Sequence, residues 1–382
     1  MNILVLGAGQ LARMMSLSAT HLDINVLAYD VGSKTVINPV TFTTTSESLQ
    51  QAIANADAIT AEFEHIPLDV LTVCQQSGKF YPGAEAIATG GDRAKEKALL
   101  EKTKVACAPF KIITDKPHFL SAIDELGLPL VVKTCQAGYD GKGQWRVKSE
   151  AEIETIWAEM SAFLQAGTDA QPHSIVAEKM IPFDREVSII GVRTKNGDCK
   201  IYPLTENQHT NGVLTLSIAG KEKANIQAQA EDAFAKLANA LDYVGVLAIE
   251  FFDVDGELLV NEIAPRVHNS GHWTQQGAHV SQFENHIRAV ADLPVGDTSL
   301  LRPTAMINVL GQDHIPAQIL AVSGVTSHWY GKSAKPGRKM GHINVSAGSL
   351  HQLGEALAEL AEILPEADYP GVMDTAQQLI LN

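Results

Sequence analysis

The chain is poor in basic residues, in cysteine and in long apolar runs. Its 29 Lys and Arg stand against 44 Asp and Glu, a formal charge of −15 over 382 residues. A nucleic-acid partner wants a basic face, so that class is excluded. Phosphorylated small molecules are not, because they need only local cations, and such clusters occur near residues 133–142 and 332–339. No apolar run approaches the ~20 residues that span a bilayer, so no membrane role is expected. The four cysteines, Cys74, Cys107, Cys135 and Cys199, are far apart and form no metal or redox spacing. Free thiols are expected. The opening MNILVLGAGQ carries no basic region or cleavage site and enters a strand directly. Together these predict a cytoplasmic protein. There is no internal repeat, low-complexity tract or long linker. The length predicts two or three domains.

The stretch that organises the chain is Val246 to Trp273, VLAIEFFDVDGELLVNEIAPRVHNSGHW. Val246 to Phe252 and Leu258 to Ile263 read as two strands joined at Asp255-Gly256. Glu250 and Glu262 lie inside them, and acids in apolar strands need partners. A two-residue loop pairs Glu250 with Asn261 and turns Glu262 to the other face. A three-residue loop, Val254 to Gly256, pairs Glu250 with Val260 and sets Glu262 diagonally on the same face. The odd-numbered loop is the expected one. A divalent cation then resolves the repulsion, and hard oxygen ligands suit Mg²⁺. An edge hairpin with solvated acids is the competing reading. Beyond the hairpin, Asn261, Arg266, His268, Asn269, Ser270 and His272 crowd one loop, a place for an anionic substrate.

A second signal follows the buried strand Leu128 to Lys133. Gln136 to Gln144, QAGYDGKGQ, holds three glycines at spacings of three and two, then a return strand begins at Trp145. Such a loop lets backbone N–H groups approach phosphates closely, and Lys133 and Lys142 add charge. No Gly-Lys-Ser/Thr opens a helix, so this is not a Walker loop. At the N-terminus a strand, Gly7-Ala8-Gly9-Gln10-Leu11-Ala12, a helix and a strand ending at Asp30 make a βαβ unit. A lone glycine fingerprint is weak evidence for a dinucleotide. The strand DAITAEF ends at Glu62 and Glu64, where open α/β sheets bind ligands. Asp92 caps a helix to about Lys104, with Arg93 in its first turn. After Pro294 the composition shifts to a small mixed domain whose loop, Trp329 to His342, carries Lys332, Lys335, Arg338 and Lys339. A phosphate monoester suits that loop.

Residues 261–274, NEIAPRVHNSGHWT, resemble the metal-and-substrate segment of the N5-carboxyaminoimidazole ribonucleotide synthases, purine-biosynthesis members of the ATP-grasp superfamily. Val267 stands where the relatives usually have Pro. KTCQAGYDGKGQ, the turn GAGQL, E-x-E at 62–64, E-N-x-H at 206–209 and Y-x-K…PGRKMGH at 330–342 resemble the family as well, in order along the whole chain. The resemblance implies an α/β fold in three parts. These are a doubly wound N-terminal domain (1–91), a central ATP-grasp domain with a glycine-rich flap (92–295, flap subdomain about 105–190) and a small mixed C-terminal domain (296–382). It implies ATP-dependent carboxylation of 5-aminoimidazole ribonucleotide with bicarbonate, through carboxyphosphate, by a cytoplasmic and commonly dimeric ligase.

Residue by residue, the resemblance implies that Glu250 and Glu262 hold Mg²⁺. ATP falls to Arg93, Lys133, Gly138, Tyr139, Asp140, Gly141, Lys142, Gly143, Gln144, Glu178, Lys179, Met180, Ile181, Glu186, His209, Asn261 and Glu262. The reacting anion falls to Arg266, His268 and Asn269, with Tyr139 and Lys142. The ribonucleotide falls to Gln10, Leu11, Glu62, Glu64, Lys332, Arg338 and Lys339. Two alternatives differ. One is another ATP-grasp ligase, such as the formate-dependent glycinamide ribonucleotide transformylase. The other is a nicotinamide-binding or regulatory module built on the Gly7 turn.

Overall fold

A computed structural model describes residues 1–136, 143–168, 172–221 and 224–381. Its first sheet has four strands in the order Thr35–Ile37, Asn25–Asp30, Asn2–Leu6, Ala58–Ala61. The last three run parallel. Alternation along Asn2–Leu6 serves two layers. Ile3 and Val5 face the helix Gln10–Ala19, while Leu4 and Leu6 face the layer of Leu49–Asn55 and Leu68–Gln76. This is the doubly wound opening the sequence predicts.

Gln10–Ala19 in turn packs on the helix Gln282–Val290, so the first domain shares a core with the centre of the molecule. That centre is a nine-stranded sheet. From its edge the order is Glu257–Ala264, Gly245–Val254, Arg185–Arg193, Thr205–Thr210, Val213–Ala219, Thr304–Leu310, Lys339–Ser346, Val325–Trp329, with Cys199–Ile201 beside Arg185–Arg193. The C-terminal strands therefore continue the central sheet. Beneath them Leu350–Ile363 and Val372–Leu381 close a separate apolar core around Leu353, Leu357 and Leu379.

A smaller antiparallel sheet, Phe110–Ile113, Ile175–Lys179, Leu130–Thr134, Gln144–Val147, stands over the hairpin edge of the large one. Its period of two buries Leu130 and Val132 under the helices Lys116–Leu126 and Ile153–Gln165. Val131 and Lys133 are left on the opposite face, toward the large sheet.

Candidate active site

Between the two sheets lies a cleft of about 660 Å³, lined from all three parts of the chain. Gln10, Glu62, Arg93, Lys133, Glu178, His209, Glu250, Glu262, Arg266, His268 and Lys339 all reach it.

The hairpin corrects one expectation. Val254 pairs with Glu257, so the loop is the two-residue Asp255-Gly256 and not the three-residue one. Both loop residues have positive φ, 52° and 87°, which suits the twist of a tight hairpin. Register is changed elsewhere. Phe251 pairs with Val260 and Glu250 with Glu262, so Asn261 is an extra residue, a bulge. The two acids stand directly opposite each other rather than diagonally, and Asn261 shares the cleft with Glu262. A bulge leaves no signature in composition, whereas Asp-Gly does; this is why the loop length took the blame for a shift made five residues later.

The acid pair is electrostatically unfinished. Burial, with Glu262 opposite adding repulsion against the relief from His209, pushes Glu250 up to about 7. Arg93 lies 3.6 Å from Glu262. Among the described residues no group of three or more His, Cys, Asp or Glu is arranged for a metal. Two carboxylates facing a polar cleft fit a hard divalent ion whose remaining ligands come from phosphate and water.

Arg93 does more than sit near an acid. Asp92 caps its helix by accepting from the Ala94 N–H at 2.9 Å and also takes Gln136 Nε2 at 2.6 Å. The Arg93 N–H donates to the Cys135 carbonyl and its guanidinium to the Thr134 carbonyl. The helix start, the flap base and the hairpin acid Glu262 are thus one assembly. One turn on, Glu96 accepts from the Ile263 N–H at 2.9 Å and is pushed up to about 7 by burial.

Lys133 leaves its strand toward Glu178 on the neighbouring strand, 2.6 Å away, with Asn261 Oδ1 at 3.4 Å. Lys97 holds the same carboxylate at 2.5 Å. Burial opposes the charge of Glu178, but the two lysines hold it down at about 2. Lys97 is 1 % exposed. Sequence reasoning missed it, although Arg93, Glu96 and Lys97 share one helical face by their spacing.

Lys179, Met180 and Ile181 line the apolar end of the cleft with Phe183, which stacks on Phe252 at 4.6 Å. Glu186 accepts from His209 at 2.8 Å. Gly143 and Gln144 lie at the flap base, and Gln144 pairs with Lys133 across the strands. The expected Gly138, Tyr139, Asp140, Gly141 and Lys142 lie outside the described residues.

On the opposite wall Arg266 pairs with Glu64 at 2.7 Å. Burial works against its charge, and Glu64 and Glu262 more than restore it. His268 is pushed well below the usual histidine range by burial and by Arg266 and Lys339, so its ring is neutral. Asn269 exchanges amide hydrogen bonds with Asn308, at 3.0 and 2.7 Å.

Glu62 has a use that the sequence concealed. Its carboxylate accepts from the Gly9 N–H and from the Ala12 N–H, the latter at 2.9 Å. A Cβ at Gly7 or Gly9 would strike the Glu62 side chain. The glycine turn is therefore shaped around an internal acid, which occupies the helix N-terminus where a dinucleotide phosphate would lie. Leu11 is buried beside it. The basic loop is split. Lys332 donates to Gln10 and is lowered to about 8 by burial and by its neighbours Arg338 and Lys339. Lys339 reaches the cleft, and Arg338 folds back on Ser333 at 3.0 Å.

A two-sheet clamp over a carboxylate-bearing hairpin, with a lysine on the upper sheet, defines an ATP-grasp ligase. An ATP-grasp domain model matches residues 98–283, a ribonucleotide synthetase preATP-grasp domain model matches 1–90, and a phosphoribosylaminoimidazole carboxylase C-terminal domain model matches 304–356. The N5-carboxyaminoimidazole ribonucleotide synthase of Vibrio cholerae is 54% identical over 379 residues, 99% of this chain and all of that one. The Escherichia coli enzyme of the same name is 36% identical, over 97% and 98% of the two chains. The solved N5-carboxyaminoimidazole ribonucleotide synthetase of Thermus thermophilus superposes with a TM-score of 0.84, at 36% identity over 95% of this chain and 99% of that one. An Aspergillus clavatus synthase in complex with ADP and 5-aminoimidazole ribonucleotide superposes with a TM-score of 0.81, at 28% identity over 99% and 98%. The chain belongs to the N5-carboxyaminoimidazole ribonucleotide synthase family.

Proposed function

We propose that this ligase carboxylates 5-aminoimidazole ribonucleotide on its exocyclic amine, using ATP and bicarbonate and releasing ADP and phosphate. One observation carries the reading: a single cleft holds an acid pair, Lys133 and the Arg266–His268–Asn269 loop. Adenine enters the apolar slot at Met180, Ile181, Phe183 and Phe252, with Glu186 and His209 at the ribose. Glu250 and Glu262 would hold Mg²⁺, which would supply positive charge to the ATP phosphates. Lys133 exchanges Glu178 for phosphate oxygens, and Lys97 keeps Glu178 neutralised when it does. Bicarbonate attacks the γ-phosphorus, giving carboxyphosphate. Arg266 holds this anion by charge, and neutral His268 and Asn269 add hydrogen bonds. The ribonucleotide lies with its phosphate at Lys332, Arg338 and Lys339 and its amine toward Glu62 and Glu64, with Gln10 and Leu11 bordering it. The amine then takes the carboxyl carbon and phosphate leaves. Carboxyphosphate hydrolyses readily, so the flap, residues 138–144 in this reading, excludes water.

The same reading takes residues 1–91, 92–295 and 296–382 as the domains and a cytoplasmic homodimer as the working form, which sedimentation tests. The activity is tested by ADP release with Mg-ATP and bicarbonate, with and without 5-aminoimidazole ribonucleotide. Stimulation by the ribonucleotide is expected. Turnover that ignores it overturns the choice of acceptor.

A further inference from the structure

We propose that a buried line of side chains, Ser217, Asn207, Ser188 and Ser270, fixes His268 in one tautomer, with Nδ1 bare and Nε2–H presented to the cleft. The consequence for catalysis rests on the reading above, in which His268 serves the bicarbonate-derived anion.

The line crosses three neighbouring strands of the central sheet. Ser217 and Asn207 are direct cross-strand partners, and Ser188 is the cross-strand partner of Glu250. Ser188, Ser217 and Ser270 are fully buried and Asn207 is 5 % exposed. Hydroxyls and amides at such depth must use their hydrogen bonds. Donors and acceptors then alternate along the line. Ser217 Oγ donates to Asn207 Oδ1 at 2.8 Å, which turns Asn207 Nδ2 toward Ser188 Oγ, 2.9 Å away. The Ser188 hydroxyl, having accepted, donates to Ser270 Oγ at 2.8 Å. The Ser270 hydroxyl lies 2.9 Å from His268 Nδ1, and its own proton, not used toward Ser188, is the one it donates to that nitrogen.

The backbone at the histidine end agrees with this direction. The backbone N–H of Ser270 can only donate, and it too points at Nδ1, at 3.4 Å. With Nδ1 accepting, the ring proton of the neutral imidazole sits on Nε2. Nε2 is 3.7 Å from Glu250 Oε1, on the cleft side. The two tautomers are not equivalent toward an anion. Nε2–H attracts it, whereas the opposite tautomer would present a lone pair. Ser217, Asn207, Ser188 and Ser270 are thus positioning residues, acting through the ring.

Asn207→Asp tests the polarity of the line. A carboxylate only accepts, so Ser188 must donate to it. Ser270 then donates to Ser188, and His268 must donate from Nδ1, which strips Nε2. Full-length protein carrying ring-¹⁵N histidine gives the tautomer directly, with His268→Gln identifying the His268 resonances. The wild type is expected to show unprotonated Nδ1 and protonated Nε2, and Asn207→Asp the reverse. Turnover of the variant should fall about 100-fold, the scale for losing one anion-hole donor, with the KM for ATP held. A wild type protonated on Nδ1, or an Asn207→Asp protein that keeps the wild-type tautomer, overturns the inference. If that variant does not fold, Ser270→Ala replaces it; mixed tautomers are expected, and unchanged resonances overturn the inference. A reversed tautomer with full turnover leaves the line intact and overturns instead the assignment of His268 to the reacting anion.

Discussion

Glu178→Gln isolates a buried charge cluster at the cleft. The wild-type carboxylate is 5 % exposed and lies between Lys97 at 2.5 Å and Lys133 at 2.6 Å. Its drop from 4.5 to about 2 corresponds to about 3 kcal/mol of stability at neutral pH. A second route agrees. Removing one partner of a buried pair costs about 3–5 kcal/mol, because the other charge is left behind, here Lys97 at 1 % exposure. The pH dependence has a definite sign. A carboxyl held low contributes fully above its unfolded value, near 4.5, and the contribution is lost as pH falls toward about 2. The advantage of wild type over Glu178→Gln should therefore shrink below about pH 4.5. Guanidinium unfolding followed through Trp145 and Trp157, both in the flap subdomain, reads it. Adding Lys97→Met removes the stranded charge as well, so the double variant should recover about 1–3 kcal/mol relative to the sum of the singles. A single-variant loss under about 1 kcal/mol, or additivity within error, refutes the cluster as a stabilising unit.

Four further outcomes follow from the same geometry. Glu262→Gln should cripple turnover with the fold intact, and near wild-type activity removes it from the metal site. Mg-nucleotide binding near pH 7 should release protons, because Glu250 is held at about 7 and must ionise to bind a cation; Glu250→Gln should abolish that release in weakly buffered solution. Arg338→Ala should raise the KM for the ribonucleotide, since among the described residues the Arg338 guanidinium bonds Ser333 of its own loop and no group of the ATP end; a changed KM for ATP instead refutes the placement. Glu64→Gln should cost about 3 kcal/mol by stranding Arg266, and raise the KM for bicarbonate; an unaltered KM argues against Arg266 as the anion holder.

What was legible in the sequence was whatever repeats locally. Short apolar runs gave the strands Asn2–Leu6, Leu130–Thr134 and Gly245–Val254 to within a few residues, and Asp92 marked its helix start. The two hairpin acids were rightly placed on one face, but through the wrong device, because a bulge at Asn261 has no compositional mark. Residues whose partners lie far along the chain were invisible. Glu62 and the Gly9 turn are 53 positions apart, and Asn269 and Asn308 are 39 apart. Neither contact follows from spacing.

The Glu62 contact also decides between readings that the sequence left open. A glycine turn is a demand for close approach, and a motif cannot say by what. In a dinucleotide domain the approaching group is a phosphate, which needs the helix N-terminus bare. Here the approaching group is a carboxylate from the next parallel strand, and it saturates the Gly9 and Ala12 N–H groups before any ligand arrives. Burial raises Glu62 while those N–H groups and Lys332 lower it, so the turn, the acid and the basic loop form one electrostatic unit. That unit ties the first and last domains together at Gln10 and Lys332. A module using the Gly7 turn alone would have no reason to recruit a lysine from 322 residues away. A ribonucleotide seated across the seam between the first and last domains does.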